Sequence, residues 1–186
     1  MQFAPRPLEP GEPQRMLEKA RGKPRDCATL ILLWRAGLRR SEACDLDTGD
    51  LEELEGGTMR VHVRNGKGGK ARFVGLDKRS ADYLRGWLEK RPGELGGPLL
   101  ITSKGNRVHS NQVWRIVRRL ASAAGIRRRI HPHAFRHTFA RELYDEGIGV
   151  RHLQELLGHS SLQTTQGYLT SIGCSEAVEV TARREW

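Results

Sequence analysis

Apolar-periodic stretches alternate along the chain with polar, glycine-rich breaks, and that alternation lays out the expected elements. Residues 1–13 are rich in proline and expected to be extended, and a helical pattern starts at Gln14. The run from Cys27 to Leu38 is strongly apolar, with Leu30, Leu33, Trp34 and Leu38 on one helical face. Gly37 is expected to end this helix, because glycine readily takes the left-handed conformation that closes helices. Ser41 is placed to cap a short helix through Cys44. Residues 59–64 alternate apolar and polar as Met-Arg-Val-His-Val-Arg, the pattern of a half-buried strand. A second strand, Ala71 to Leu76, follows Asn65-Gly66-Lys67-Gly68-Gly69-Lys70, so the pair reads as a hairpin with a glycine-rich tip.

Helical spacing returns over Lys78 to Arg91, with Tyr83, Leu84, Trp87 and Leu88 as the apolar face. Ser110 is placed to cap a helix running to Ala124, with Val113, Ile116, Val117 and Leu120 inward and Arg115, Arg118 and Arg119 outward. Pro132 suits the first turn of a helix running to about Glu146. Val150 to Leu157 forms a further short helix closed by Gly158. Ser161 can cap another through about Leu169, and Ser175 to Arg183 can form a last one in the tail 171–186. The expected fold class is mainly α with a small antiparallel β-sheet (α+β), in one domain spanning residues 1–186.

Composition narrows the class of partner. The 186 residues carry 32 Lys and Arg against 22 Asp and Glu, a formal net charge of +10. Such a surplus favours a polyanion, because each neutralised phosphate releases condensed counterions. A soluble basic protein without such a partner would carry the same charge. Cys27, Cys44 and Cys174 are odd in number, far apart and form no C-x-x-C, which argues against a disulfide framework and fits a reducing cytoplasm. No apolar run approaches the roughly 18 residues of a membrane span, so no membrane association is expected. The opening MQFAPRPLEPGEP lacks the apolar core of a secretory signal.

Several residues gain meaning only together. His133 and Arg136 are three apart, hence on one helical face, but an isolated H-x-x-R is commonplace. Arg39 sits where a helix ends, with Glu42 three residues on, and a surface ion pair of small value would look the same. Lys67 at a hairpin tip, His159 after Leu156-Leu157-Gly158, and Tyr168 each have ordinary readings as a solvated lysine, a cap histidine and a packing tyrosine. As a set they fit metal-free phosphoryl transfer, where preorganised cations meet charge on non-bridging oxygens. Tyrosine, with a pKa of about 10, needs such help to act as a nucleophile. His131, His133 and His137 could suggest zinc, but no cysteine or carboxylate completes a ligand set in that stretch, so no metal is expected.

Four stretches carry a family likeness. Ala36-Gly37-Leu38-Arg39-Arg40-Ser41-Glu42, Gly66-Lys67-Gly68 between two strands, His133-Ala-Phe-Arg136-His137-Thr138-Phe139-Ala140, and Leu156-Leu157-Gly158-His159 through Tyr168 occur in order and at fitting spacing. In these the chain resembles the tyrosine recombinases, the Xer-like and phage-integrase group, over about residues 14–170. The resemblance implies that Tyr168 is the nucleophile, forming a 3′-phosphotyrosyl bond to duplex DNA. It implies that Arg39 and Arg136 clamp the scissile phosphate, Lys67 is the general acid, His133 and His159 bond phosphate oxygens, and Glu42 supports them. No cofactor is implied. It further implies a recombinase tetramer on DNA, with the C-terminal tail available for exchange through Ala177, Val178 and Val180. Relatives carry an N-terminal core-binding domain, which is expected to be absent here. A type IB topoisomerase would share the chemistry, and an inactive DNA-binding module would share the charge. Arg115, Arg118 and Arg119, with Arg127, Arg128 and Arg129, are candidate DNA contacts, although a solvated helix face and loop would accommodate the same residues.

Overall fold

The computed structural model describes residues 6–64 and 71–158. A helix with apolar residues on every side must be surrounded, and α2 (Pro24–Trp34) is that helix, buried from Asp26 to Trp34 without a break. Full burial of one of its leucines is worth roughly 1.5–3 kcal/mol relative to exposure. Around it pack α1 (Glu12–Lys19), α3 (Arg40–Asp45), α4 (Lys78–Lys90), α5 (Ser110–Ala123) and α6 (Pro132–Asp145). A final described helix, α7 (Val150–Leu157), lies against α6 and the sheet.

The sheet is antiparallel in the order β1 (Leu51–Glu53), β2 (Met59–Val63), β3 (Arg72–Leu76). Its register pairs Met59 with Leu76, Val61 with Val74 and Val63 with Arg72. Period-two alternation turns Met59, Val61, Val63, Val74 and Leu76 inward, while His62 and Phe73 stack on the outer face with ring centroids 4.6 Å apart. The mainly helical fold with one small antiparallel sheet agrees with the sequence reading, and β1 is an addition to it. At three residues, β1 is too short for its alternation to register.

Four local details differ from expectation, each for a physical reason. Helix α1 begins at Glu12, because Pro13 fits a first turn and Glu12 Oε2 accepts the Glu9 N–H at 2.9 Å. Helix α2 stops at Trp34, and Leu38 enters the core from the turn beyond it. That turn is held by Leu38 N–H donating to Leu32 O at 3.0 Å, with Gly37 left-handed at φ 58°. Ser41 does not cap α3: Arg39 is the extended cap residue, and Glu42 Oε2 accepts its N–H at 2.8 Å. Ser110 is likewise already helical, with His109 as the cap residue and Gln112 Oε1 accepting its N–H at 2.9 Å. The expected ends of α6 and α7 fall where placed, with Pro132 in the first turn of one and a left-handed Gly158 closing the other.

Candidate active site

Three arginines from three separate elements converge on one carboxylate. Arg39 precedes α3, Arg72 opens β3, Arg136 lies mid-α6, and Glu42 belongs to α3. Glu42 Oε1 accepts from Arg39 Nη1 at 2.6 Å and from Arg72 Nη1 at 3.0 Å. Its Oε2 accepts from Arg72 Nη2 at 2.7 Å, and Arg136 Nη1 stands 3.8 Å away. The Arg72–Glu42 pair is thus the two-pronged arrangement that guanidinium and carboxylate favour. Burial alone would push the Glu42 carboxyl up. The Arg72 hydrogen bonds and charge, the Arg39 N–H and the Arg136 charge overcome it and hold the pKa at about 2.

The same three guanidiniums cap the end of α7. The last carbonyls of a helix have no helical partner and carry the negative end of its dipole. Here Leu156 O accepts from Arg72 Nε at 2.7 Å, Leu157 O from Arg136 Nη2, and Gly158 O from Arg39 Nη2 at 3.1 Å. Arg136 Nη1 also donates to Gly37 O at 2.7 Å. The arginines therefore form a layer between Glu42 and three successive carbonyls. Against one carboxylate they leave two positive charges in excess.

Two glycines make this approach possible. A Cβ on Gly37 would lie 2.2 Å from Phe139 Cδ1, and one on Gly158 would lie 3.2 Å from Arg72 Nη1. Both are left-handed at φ 58°, so glycine is required by conformation as well as by space.

On the solvent side a cleft of about 380 Å³ opens beside Arg39, lined also by Ser110, Trp114, His131 and His133. The Arg39 side chain is 19% exposed and that of Arg136 is 0% exposed. His133 lies at the cleft's exposed edge. Partial loss of water, then the charges of Arg136 and Arg39, lower its pKa against the opposing pull of Glu42. Behind it, His137 meets the His133 ring edge-on at 5.4 Å, and burial, His133 and Arg136 bring its pKa down to about 4. Neutral imidazoles beside a net positive arginine layer suit an anion at the cleft floor, with imidazole N–H groups as donors. Among the described residues no cluster of His, Cys, Asp or Glu could hold a metal ion, and no helix is long and apolar enough to cross a membrane.

Four of the sequence-predicted residues are thus brought together: Arg39, Glu42, His133 and Arg136. Lys67, His159 and Tyr168 lie outside the described residues, as do the expected helices after Ser161 and in the tail. The remaining arginines divide. Arg115, Arg127 and Arg129 are exposed, and Arg118 lies over the Trp114 ring at 4.9 Å. Arg119 pairs with the buried Asp26, and Arg128 pairs with Glu12 and donates to Pro7 O at 3.2 Å. These last two fasten α5 to α2 and the 126–130 loop to the N-terminal segment.

Arg72 was missed by the sequence reading, although a signal was present. Strand alternation puts it in phase with Val74 and Leu76 on the buried face, a costly place for a lone charge. An inward arginine at a strand start announces a buried acidic or carbonyl partner.

Recombinases are among the known proteins to which the chain is similar. Residues 7–172 match the family model described as Phage integrase family. A tyrosine recombinase of Pseudothermotoga lettingae is 40% identical over 162 residues, which are 87% of this chain and 55% of that protein. Tyrosine recombinase XerA of Thermococcus kodakarensis is 42% identical over 147 residues, 77% of this chain and 50% of that protein. The chain spans about half the length of the curated relatives it matches. Among solved structures, XerA recombinase superposes with a TM-score of 0.84 at 30% identity, covering 100% of this chain and 66% of the other. XerH site-specific recombinase bound to palindromic difH substrate, a post-cleavage complex, gives 0.79 at 28% identity, covering 95% of this chain and 52% of the other.

Proposed function

The chain belongs to the phage integrase family, and from that premise we propose that it is the catalytic portion of a tyrosine recombinase that cleaves and rejoins duplex DNA. The observation that supports this most is the arginine layer. Arg39 and Arg136, apart in sequence, share Glu42 and the end of α7, beside a cleft edged by His133.

In the proposed reaction the Tyr168 hydroxyl oxygen attacks the scissile phosphorus. A 3′-phosphotyrosyl bond forms and the bond to the 5′ oxygen breaks. Lys67 supplies the proton that the leaving 5′ oxygen takes up, and His133 and His159 bond the non-bridging oxygens and assist removal of the tyrosine proton. Arg39 and Arg136 stabilise the charge on those oxygens, where each well-placed donor is worth about 100-fold or more in rate. The phosphotyrosine conserves the energy of the broken ester, so attack by a 5′ hydroxyl reverses the step without ATP. Arg115, Arg118, Arg127 and Arg129 supply contacts to the DNA backbone. Exchange of strands between two duplexes calls for a tetramer on DNA, with the tail 171–186 passing between subunits, in the cytoplasm where the DNA lies.

Covalent trapping tests the reading. Nicked duplexes release a short 5′-hydroxyl fragment on cleavage, which blocks religation. The expected result is a protein–DNA band on a denaturing gel that disappears in Tyr168→Phe. DNA binding with no such band on any site tested would sink the catalytic assignment.

A further inference from the structure

Arg72 is the member of the arginine layer to which no role has been given, and its guanidinium donates three hydrogen bonds. Its fork spans both oxygens of Glu42, at 3.0 and 2.7 Å, and its Nε holds Leu156 O at 2.7 Å. Only 7% of its side chain is exposed. It opens β3 and pairs in register with Val63, and the stretch between these two residues contains Lys67. One guanidinium thus ties together three parts of the proposed site. These are the carboxylate that orients Arg39 and borders Arg136, the end of α7 directly before His159 in sequence, and the paired strands that flank Lys67 in sequence.

We propose that Arg72 is a positioning residue for the phosphate-binding arginines, acting through Glu42 and the Leu156 carbonyl. This rests on the recombinase reading above. Glu42 shares Oε1 between Arg39 and Arg72 and Oε2 between Arg72 and the Arg39 N–H. Without the Arg72 fork the carboxylate keeps only its bonds to Arg39 and its contact with Arg136, so Glu42 and Arg39 can shift together. Leu156 O loses its guanidinium donor, which loosens the α7 end that also receives Arg136 and Arg39. A lysine in its place keeps the charge but is a point donor, unable to grip both carboxylate oxygens and the carbonyl in one plane.

The test compares Arg72→Lys and Arg72→Gln with wild type, after thermal melting has identified the folded variants. Cleavage is timed on a nicked duplex and on the same duplex with a methylphosphonate at the scissile position. The methylphosphonate lacks one charged oxygen, so it depends less on well-placed arginines. On the ordinary phosphate Arg72→Lys is expected to lose about 100-fold in cleavage rate, the cost of a small misplacement of catalytic groups. On the methylphosphonate its deficit relative to wild type should shrink at least about tenfold, the mark of lost charge stabilisation. Equal losses on both substrates would reduce Arg72 to a fold-stabilising residue and overturn the inference, as would no loss on either.

If wild type forms no covalent product, the recombinase reading falls instead. The positioning inference is then decided by the His133 ring titration followed by NMR. Burial first, then the charges of Arg136 and Arg39, depress its pKa, so displacing those charges in Arg72→Lys should return part of the shift toward the ordinary imidazole value. An unchanged His133 midpoint would overturn the inference without any need for cleavage.

Discussion

The arginines around Glu42 and those of α5 and the following loop are the same side chain in opposite circumstances. Arg72 and Arg136 are buried, and with Arg39 they are bound to a carboxylate and three consecutive carbonyls. Arg115, Arg127 and Arg129 are exposed. In the buried set, geometry is fixed by partners within the fold, the preorganisation that the proposed phosphate chemistry would require. The exposed set adds a diffuse positive field, which on the proposed reading would give salt-dependent affinity for DNA. Net charge weighs both sets alike, and only their partners separate an arginine fixed within the fold from one left at the surface. Arg119 and Arg128, bound to Asp26 and Glu12, show that even an apparent basic surface run includes arginines engaged in the fold.

Removing the hub of the buried set should have the largest effect. Glu42→Ala leaves three guanidiniums without their counter-charge, and urea unfolding should show a loss of about 4 kcal/mol. A loss below about 1 kcal/mol would mean the layer is no more than a surface-type ion pair. The same carboxylate predicts an acid transition. Its folded pKa of about 2 lies below the ordinary 4.5, so the stability it contributes is present above pH 4.5 and is lost as pH falls toward 2. That loss is on the order of 3 kcal/mol, and it should be missing from the pH profile of Glu42→Ala.

Gly37→Ala should come next. The new methyl group would overlap the Phe139 ring, and φ 58° disfavours any side chain. A loss of about 3 kcal/mol on denaturation is expected. Cleavage should fall with it, because Gly37 O is a partner of Arg136. A neutral outcome would show that the turn before Arg39 adapts freely.

His137 sharpens the contrast at milder pH. Its folded pKa of about 4 lies below the ordinary 6.5. The unfolded chain therefore takes up a proton first, and stability falls as pH drops from 6.5 toward 4. His137→Asn should flatten the stability profile in that window and leave the lower Glu42 transition in place. An unchanged slope would show that His137 titrates normally.

The exposed set should respond least in stability and distinctly in binding. Arg127→Ala and Arg129→Ala should each alter stability by less than about 0.5 kcal/mol. Each should lower the slope of log affinity for duplex DNA against log salt by about 0.9. Arg128→Ala should do the reverse, with a stability loss of about 2 kcal/mol and an unchanged slope, because its charge is bound to the buried Glu12. If Arg128 changes the slope as much as Arg127, the division between bound and available arginines fails in this loop.

The sequence by itself determined the features that depend on near neighbours. Period-two alternation over Met59–Val63 and helical spacing over Ser110–Ala123 and Val150–Leu157 follow from backbone geometry, and each element formed where its pattern lay. Gly37 and Gly158 were legible because a left-handed residue at a helix end is a local requirement. Motif order was enough to nominate Arg39, Glu42, His133 and Arg136. Only the tertiary structure decided which charges meet. Arg72 finds Glu42 across 30 residues and Leu156 across 84, and Arg136 finds Gly37 across 99. Such partners are selected by packing, which buries a charge only where carboxylates and orphan carbonyls already converge. For the same reason Arg119 and Arg128 could be distinguished from their neighbours only after folding, since nothing in the surrounding sequence specifies an ion-pair partner on another element.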